Sequence, residues 1–165
     1  MNTSSSATFS FNRLIKNPVK FKFFLLKNLP AAYFSGLRIV HIDAERCEVS
    51  VPFKWFTQNP FRSTYFACLS MAAEMSTGVL AMGAIYNQSE KVSMLIVSNN
   101  AIYHKKATSV TRFSCNDGKA IQDAIALAVS TGSPQTITCQ SEGKDEQGNV
   151  IAAFAFTWSF KARGI

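Results

Sequence analysis

The sequence contains little that could support metal or histidine chemistry. Among its 165 residues there are two histidines, His41 and His104, and four cysteines. Those cysteines stand twenty or more residues apart, with no Cys-x-x-Cys pair and no histidine at ligand spacing. We therefore predict no metal site. The cysteines fall in apolar or alternating stretches, where a free thiol behaves as a small core residue, so we expect a reducing cytoplasm.

Charge is also scarce, and acidic charge most of all. Charged residues make up 16% of the chain and apolar residues 47%, which excludes a disordered protein. Seventeen Lys and Arg against ten Asp and Glu give a net charge of +7, a balance that favours an anionic partner. Four lysines, Lys16, Lys20, Lys22 and Lys27, lie in the first thirty residues, and the other basic residues are scattered, with only Lys105-Lys106 adjacent. Because no nucleic-acid motif accompanies them, we predict no nucleic-acid partner.

Long hydrophobic runs are missing near the N-terminus. The apolar run from Phe23 to Leu26 is only four residues long and lies between Lys22 and Lys27. It is too short and too charged for a membrane span, and no small-residue cleavage site follows it. We therefore expect neither export nor stable membrane insertion.

The first part of the chain predicts a basic amphipathic helix. Residues 1–10 are rich in Ser and Thr and are expected to be frayed, and helical periodicity covers 12–33 with an interruption near Pro18. The helix is interpreted as a lid packed on the sheet, and binding at a membrane surface is the alternative.

Period-two alternation of apolar and polar residues predicts six strand segments. They are 37–43, 47–53, 92–97, 103–115, 135–142 and 150–161. The first pair predicts a hairpin turning at Ala44-Glu45, a turn through 98–100 joins the second pair, and a turn near Gly148 joins the last.

Two further helices are predicted between these strands. Ser63 or Thr64 can cap a helix that runs to about Ala84 and is apolar on all sides, so the sheet should wrap around it. Asp117 caps a short amphipathic helix that stops at Gly132. This order predicts a single α+β domain over residues 11–165, with an antiparallel sheet curled around one central helix.

Glu74 is the most informative position for function. It is the only formal charge between Arg62 and Glu90, halfway along the apolar helix. Such a carboxylate must be desolvated, paired, or placed in a cleft that admits substrate. Burial would raise its pKa and make it a general base near neutral pH. A structural ion pair with Arg112 or Arg62 is the alternative.

The strand order, with Asn59 in the loop before the central helix and a carboxylate fifteen residues later at Glu74, resembles the hotdog-fold thioesterases. The likeness is to the phenylacetic-acid-degradation type and to an uncharacterised thioesterase-like branch, and it spans about residues 35–162. The resemblance implies that Asn59 orients the attacking water or the thioester. It also implies that the amide of Phe66 polarises the thioester carbonyl and that Glu74 acts as general base or nucleophile.

The resemblance also implies the substrate and the assembly. The expected substrate is an acyl-CoA or acyl-carrier thioester, with coenzyme A present only as part of the substrate and no separate cofactor. Its phosphates would lie outside the cleft, where Lys54, Arg62, Lys105 or Lys106 could meet them. Since the eight residues from Phe66 to Glu74 span ~12 Å of helix, the two groups cannot serve one carbonyl within one chain. A homodimer is therefore expected, with a tetramer as the alternative.

One departure from the family pattern keeps a second function open. Many relatives carry His-Gly-Gly at the start of the helix, where this chain has Tyr65-Phe66-Ala67, so bulk replaces the glycines. A catalytically silent protein that binds acyl-CoA or acyl lipid is the alternative. A hydratase of the same fold is disfavoured, because Thr57 occupies the position of its Asp, and Phe61 or Arg62 that of its His.

Overall fold

The structure, a computed structural model, describes residues 15, 17–86 and 88–163. The frayed segment predicted for 1–10 lies outside the described residues. The elements, in chain order, are α1 (Pro18–Asn28), α2 (Pro30–Ser35), β1 (Arg38–Ile42), β2 (Cys47–Val51), a 3₁₀ turn (Trp55–Thr57), α3 (Phe66–Tyr86), β3 (Val92–Tyr103), β4 (Thr111–Cys115), α4 (Gly118–Thr131), β5 (Gln135–Lys144) and β6 (Val150–Ala162).

The six strands form one antiparallel sheet in the order β1-β2-β4-β5-β6-β3. The inner face of this sheet carries alternate large side chains of β6, including Phe156, Trp158 and Phe160, and these are buried. The helix α3 packs against β2, β4, β5 and β6. The predicted α+β architecture is therefore confirmed, and it is the hotdog fold.

The helix α3 is buried on most of its circumference, as its composition predicts. It is long and apolar enough to cross a membrane, but 67% of its most apolar window is buried inside the fold, as expected for a core helix. Two of its buried polar side chains, those of Ser76 and Thr77, find partners in the sheet. The Ser76 hydroxyl lies 2.8 Å from that of Ser141, and Trp158 Nε1 donates to Thr77 Oγ1 at 2.9 Å. These two bonds fix the rotation of α3 in the sheet.

The interruption predicted near Pro18 is confirmed. Ile15 is helical and Asn17 is not, and Pro18 then opens α1, where its missing N–H costs nothing. Asn17 Oδ1 caps α1 by accepting from the backbone N–H groups of Val19 and Lys20. A second interruption lies at Leu29, directly before Pro30. A residue before proline avoids the helical region, which explains the break there.

The predicted cap of the central helix is wrong by one or two residues. Ser63 and Thr64 are buried, and their hydroxyls bond to Asn59 and to the carbonyl of Ala107. Tyr65 precedes the helix instead, and its carbonyl accepts from the N–H of Cys68. Tertiary partners therefore take the two hydroxyls that local sequence would assign to capping.

The turn predicted through 98–100 is also wrong. The strand β3 continues through this polar segment to Tyr103 and pairs with β6 along its length, with a register shift between Ile96 and Ser98. Because β3 lies at an edge of the sheet, Ser98 and its neighbours Asn99 and Asn100 can face solvent without breaking the strand. The connection to β4 is the segment 104–110.

The other predicted turns are confirmed. Asp43 Oδ1 accepts from the N–H groups of Glu45 and Arg46 and closes the first hairpin. Gly148, with φ of 82°, lies in the turn before β6. The helix α4 ends at Gly132 as expected, but Asp117 does not cap it, because its carboxylate accepts from the N–H of Gln140 in β5.

Candidate functional site

A cleft of about 830 Å³ opens at the N-terminal end of α3. Its walls are the loop before α3 up to Tyr65, the first turn of α3 with Phe66 and Leu69, and the segment 103–107 at the end of β3. Two hydrogen bonds join these walls, since the N–H and hydroxyl of Thr64 both donate to the carbonyl of Ala107. The loop, the start of α3 and the end of β3 are therefore connected around the cleft.

Asn59 organises the loop on one side of this cleft. Its Oδ1 accepts from the N–H groups of Phe61 and Ser63, at 3.0 and 3.2 Å, and its Nδ2 donates to Ser63 Oγ at 3.1 Å. The loop turns at Arg62, whose φ of 57° lies in the left-handed region. The oxygen of Asn59 is thus committed to the loop, while its amide nitrogen carries a second hydrogen for another acceptor.

The first turn of α3 presents two backbone donors. The N–H groups of Phe66 and Ala67 have no hydrogen-bond acceptor among the described residues, whereas that of Cys68 donates to the Tyr65 carbonyl. Free N–H groups at a helix N-terminus attract an oxygen that carries negative charge. The Phe66 ring is exposed and in edge contact with Tyr65, 4.9 Å between centroids. This end of the helix can therefore polarise a carbonyl that passes beside the two rings.

The four basic residues predicted to meet phosphate do not lie together. Lys105 and Lys106 line the cleft, and Lys105 Nζ is 3.5 Å from Asp145 Oδ2. Lys54 lines a separate hollow beside α1 and α2. Arg62 is exposed on the loop and is not among the residues that line the cleft.

Glu74 lies two turns further along α3 and is likewise not among the residues lining the cleft. Its carboxylate makes no hydrogen bond and no ion pair with any described residue. The alternative of a pair with Arg112 or Arg62 is wrong, because Arg112 lies near Glu48 instead, 3.8 Å from its Oε1. Burial raises the pKa of Glu74 above its usual range.

A glycine and a tryptophan shape the space around this carboxylate. A Cβ placed on Gly78, one turn after Glu74, would lie 2.9 Å from Glu74 Oε1 and 3.4 Å from the Trp158 ring. The carboxylate therefore lies over the bare backbone of Gly78. Trp158 is itself held by Thr77, whose hydroxyl donates to the carbonyl of Glu74 at 2.9 Å.

Sequence reasoning missed two residues of the cleft. The sequence patterns assign His104 no role in a site and place Tyr103 at the start of a strand. Both line the cleft, because β3 runs on to Tyr103 and delivers the next residues to the helix end. The signal was hidden by the polar segment 98–100, which breaks the apolar alternation.

The sequence matches one family over residues 20–160, which is most of the chain. The chain belongs to the DUF4442 family, described as a domain of unknown function. No curated protein matches this chain.

Solved structures share its fold at low identity. A Pseudomonas aeruginosa protein of unknown function, named a probable thioesterase, is 20% identical with a TM-score of 0.75, covering 89% of this chain and 97% of that one. A thioesterase from Haemophilus influenzae is 14% identical with a TM-score of 0.64, covering 88% and 91%. The PaaI protein of the Escherichia coli phenylacetic acid degradation operon is 12% identical with a TM-score of 0.58, covering 92% and 96%. These likenesses establish the fold of this DUF4442 domain.

Proposed function

We propose that this DUF4442 protein is a thioester hydrolase in which Glu74 is the general base or nucleophile. The observation that carries the proposal is the half-buried carboxylate of Glu74, which no described cation neutralises. A structural carboxylate in an apolar helix is normally paired, because desolvating it alone is costly. The names of the structural neighbours support the same reaction class.

In the proposed reaction, ionised Glu74 takes a proton from water while the water oxygen attacks the thioester carbonyl carbon. The carbonyl oxygen gains negative charge and is stabilised by the N–H groups at the start of α3, those of Phe66 and Ala67. The carbon–sulfur bond then breaks, and the thiolate takes up the proton from Glu74. The products are a carboxylic acid and a thiol. The second hydrogen of Asn59 Nδ2 is available to hold the water or the thioester.

The reaction requires a homodimer, because Glu74 and the helix start of one chain are ~12 Å apart along the axis. The edge strand β3 supports this assembly, since it spans twelve residues and exposes the apolar side chains of Leu95, Val97 and Ile102. A long apolar edge strand is normally covered by another chain. In the dimer, Glu74 of one protomer would face the cleft of its partner. Further pairing into a tetramer is the alternative.

The proposed substrate is an acyl-CoA or an acyl-carrier thioester, and coenzyme A enters only as part of it. Lys105 and Lys106 support an anionic carrier, because they line the cleft. Lys54 and Arg62 would contribute only to a carrier that extends beyond the cleft.

We also propose a cytoplasmic location. Its support is that all four cysteines are free and that burial raises the pKa of the Cys47 thiol to about 12.

The test is hydrolysis of short- to long-chain acyl-CoA by the wild type and by Glu74→Gln. Loss of a general base lowers kcat by about 10²–10⁴-fold, while KM should change little. Glu90→Gln is the matched control, because Glu90 is an exposed carboxylate beyond the end of α3. Equal turnover by wild type and Glu74→Gln would overturn the assignment.

The role of the dimer has its own test. Val97→Lys places a charge on the exposed face of β3 and should give monomers by sedimentation equilibrium, with activity lost. Val40→Lys is the control, because Val40 is an exposed apolar residue on β1, at the other edge of the sheet. An active monomer would contradict the two-chain site.

A silent acyl-CoA or acyl-lipid binding protein is the second candidate. The observation that favours it is the pair of rings, Tyr65 and Phe66, which occupy the helix start where many relatives have glycines. This candidate predicts acyl-CoA binding by calorimetry with no turnover, and binding unchanged in Glu74→Gln.

A further inference from the structure

The helix α1 has an apolar face that points away from the protein. Val19, Phe23 and Leu26 recur at helical spacing and share one side of α1, and they are 61%, 69% and 42% exposed. The opposite side, with Phe21 and Leu25, is buried. A surface helix normally turns polar residues outward, so one apolar side is left without a partner in the described fold.

Further exposed aromatic residues lie beside α1, in α2 and the 3₁₀ turn. Phe34 of α2 lies 6.1 Å from Phe56, centroid to centroid, and the adjacent Trp55 is 83% exposed. Phe34 also lines a hollow with Lys22 of α1 and with Lys54, which directly precedes the 3₁₀ turn, so the three elements lie side by side. We call this surface the aromatic face. It consists of Val19, Phe23, Leu26, Phe34, Trp55 and Phe56.

Lysines border the aromatic face, and the chain segments that form it contain no Asp or Glu. On α1, Lys22 lies to one side of the apolar stripe, and Lys20 and Lys27 lie to the other, by helical geometry. No Asp or Glu occurs before Asp43, and none occurs between Glu48 and Glu74. Neither these three lysines nor Lys54 forms an ion pair with a described residue.

We propose that the aromatic face adsorbs to the surface of an anionic phospholipid bilayer. An apolar stripe between lysines suits a helix that lies in the headgroup region, with its rings toward the acyl chains and its ammonium groups among the phosphates. The central helix α3 is buried, so this contact is peripheral. The inference does not rest on the proposed hydrolase activity.

The positive charge around the aromatic face favours a phospholipid surface over a second copy of the chain as the partner. In a two-fold contact the same surface meets itself, so the lysines around the aromatic face would oppose one another with no carboxylate between them. A phosphatidylserine surface supplies the missing negative charge. Each lysine near such a surface strengthens adsorption about fivefold, and salt weakens it.

The test is co-sedimentation of the full chain with phosphatidylcholine vesicles that either contain or lack phosphatidylserine. We expect adsorption only with phosphatidylserine, decreasing as NaCl is raised. Lys22→Gln/Lys27→Gln should lower the partition coefficient about 30-fold. The matched control is Lys91→Gln/Lys161→Gln, two exposed lysines near the β3–β6 edge, where the change should stay within about twofold.

Tryptophan fluorescence identifies the surface that makes contact. Trp55 is exposed and Trp158 is 4% exposed, so a blue shift on adding phosphatidylserine vesicles reports on Trp55, and Trp55→Phe should abolish it. Phe23→Ser should also weaken adsorption while leaving the circular dichroism spectrum unchanged. The proposal is overturned by absence of adsorption, by equal weakening in the control pair, or by adsorption without a Trp55 shift. It is also overturned if Phe23→Ser changes only the oligomeric mass.

Discussion

Replacing Glu74 with Gln should stabilise the protein while removing its activity. Because the Glu74 carboxylate is half-buried without a described partner, its ionised form is disfavoured by the fold, and burial raises its pKa. An unsatisfied buried polar group costs about 1–3 kcal/mol and a charged one costs more, so Gln removes the charge while keeping the polar cost. We expect a gain of about 1–2 kcal/mol at neutral pH. In a domain of this size this corresponds to a Tm increase of about 2–8 °C.

The sign of the pH dependence makes this prediction specific. The folded-state pKa of Glu74 is raised above its unfolded value, so the folded protein binds the extra proton between the two values. Below the unfolded pKa both states are protonated and the penalty vanishes; above the folded pKa the penalty is complete. The difference in Tm between Glu74→Gln and wild type should therefore grow as the pH rises above the unfolded carboxyl pKa of about 4.3. Scanning calorimetry at equal protein concentrations measures it, with Glu90→Gln as the control. A loss of stability at pH 7, or a difference independent of pH, would refute the reasoning.

Three further predictions concern the same helix and the sheet around it. Gly78→Ala should lower kcat, because the new Cβ displaces the Glu74 carboxylate. The free energy of unfolding, measured by urea titration, should stay equal or rise, because Ala favours helix by about 1 kcal/mol. An unchanged kcat would contradict the role of that position. The value of kcat should rise with pH through a midpoint above the ordinary carboxyl pKa of about 4.3, since only ionised Glu74 accepts a proton. A kcat that is independent of pH above pH 4 would contradict this role of Glu74. Gly143→Ala should destabilise the fold by about 1–3 kcal/mol in urea, because its Cβ would overlap the buried Phe113 ring. An unchanged free energy of unfolding would contradict the close packing of these two residues.

Sequence patterns predicted the parts of the fold that depend on burial alone. The apolar circumference of α3 predicted a helix enclosed by the sheet, because such a helix has no side that favours water. The hairpin at Asp43 was predictable because turn chemistry is local. In contrast, the continuity of β3 through Asn99 depends on β6, a partner more than fifty residues away, which no local pattern reveals.

The sequence did not reveal which residues meet in the cleft, since Asn59 and Phe66 line it and Glu74 does not. Because Glu74 is the only charged residue in its part of the sequence, a shifted carboxyl pKa was predictable. That Arg112 pairs with Glu48 and not with Glu74 is seen only in the structure. Asn59 was selected correctly as a loop residue, but its use of Oδ1 to bind Ser63 follows from the turn at Arg62. Which acceptor such a side chain uses depends on residues that are distant in sequence, so local sequence patterns do not predict it.

The position of β3 at the sheet edge affects how the chain can fold during synthesis. In this sheet β3 has one hydrogen-bonded neighbour, β6, which emerges from the ribosome after every other described strand. Until then the twelve residues of β3, with several exposed apolar side chains, present an unpaired edge to other nascent chains. Translation stalled before Val150 should therefore yield ribosome-bound intermediates that recruit chaperones, and release should require completion of the last strand.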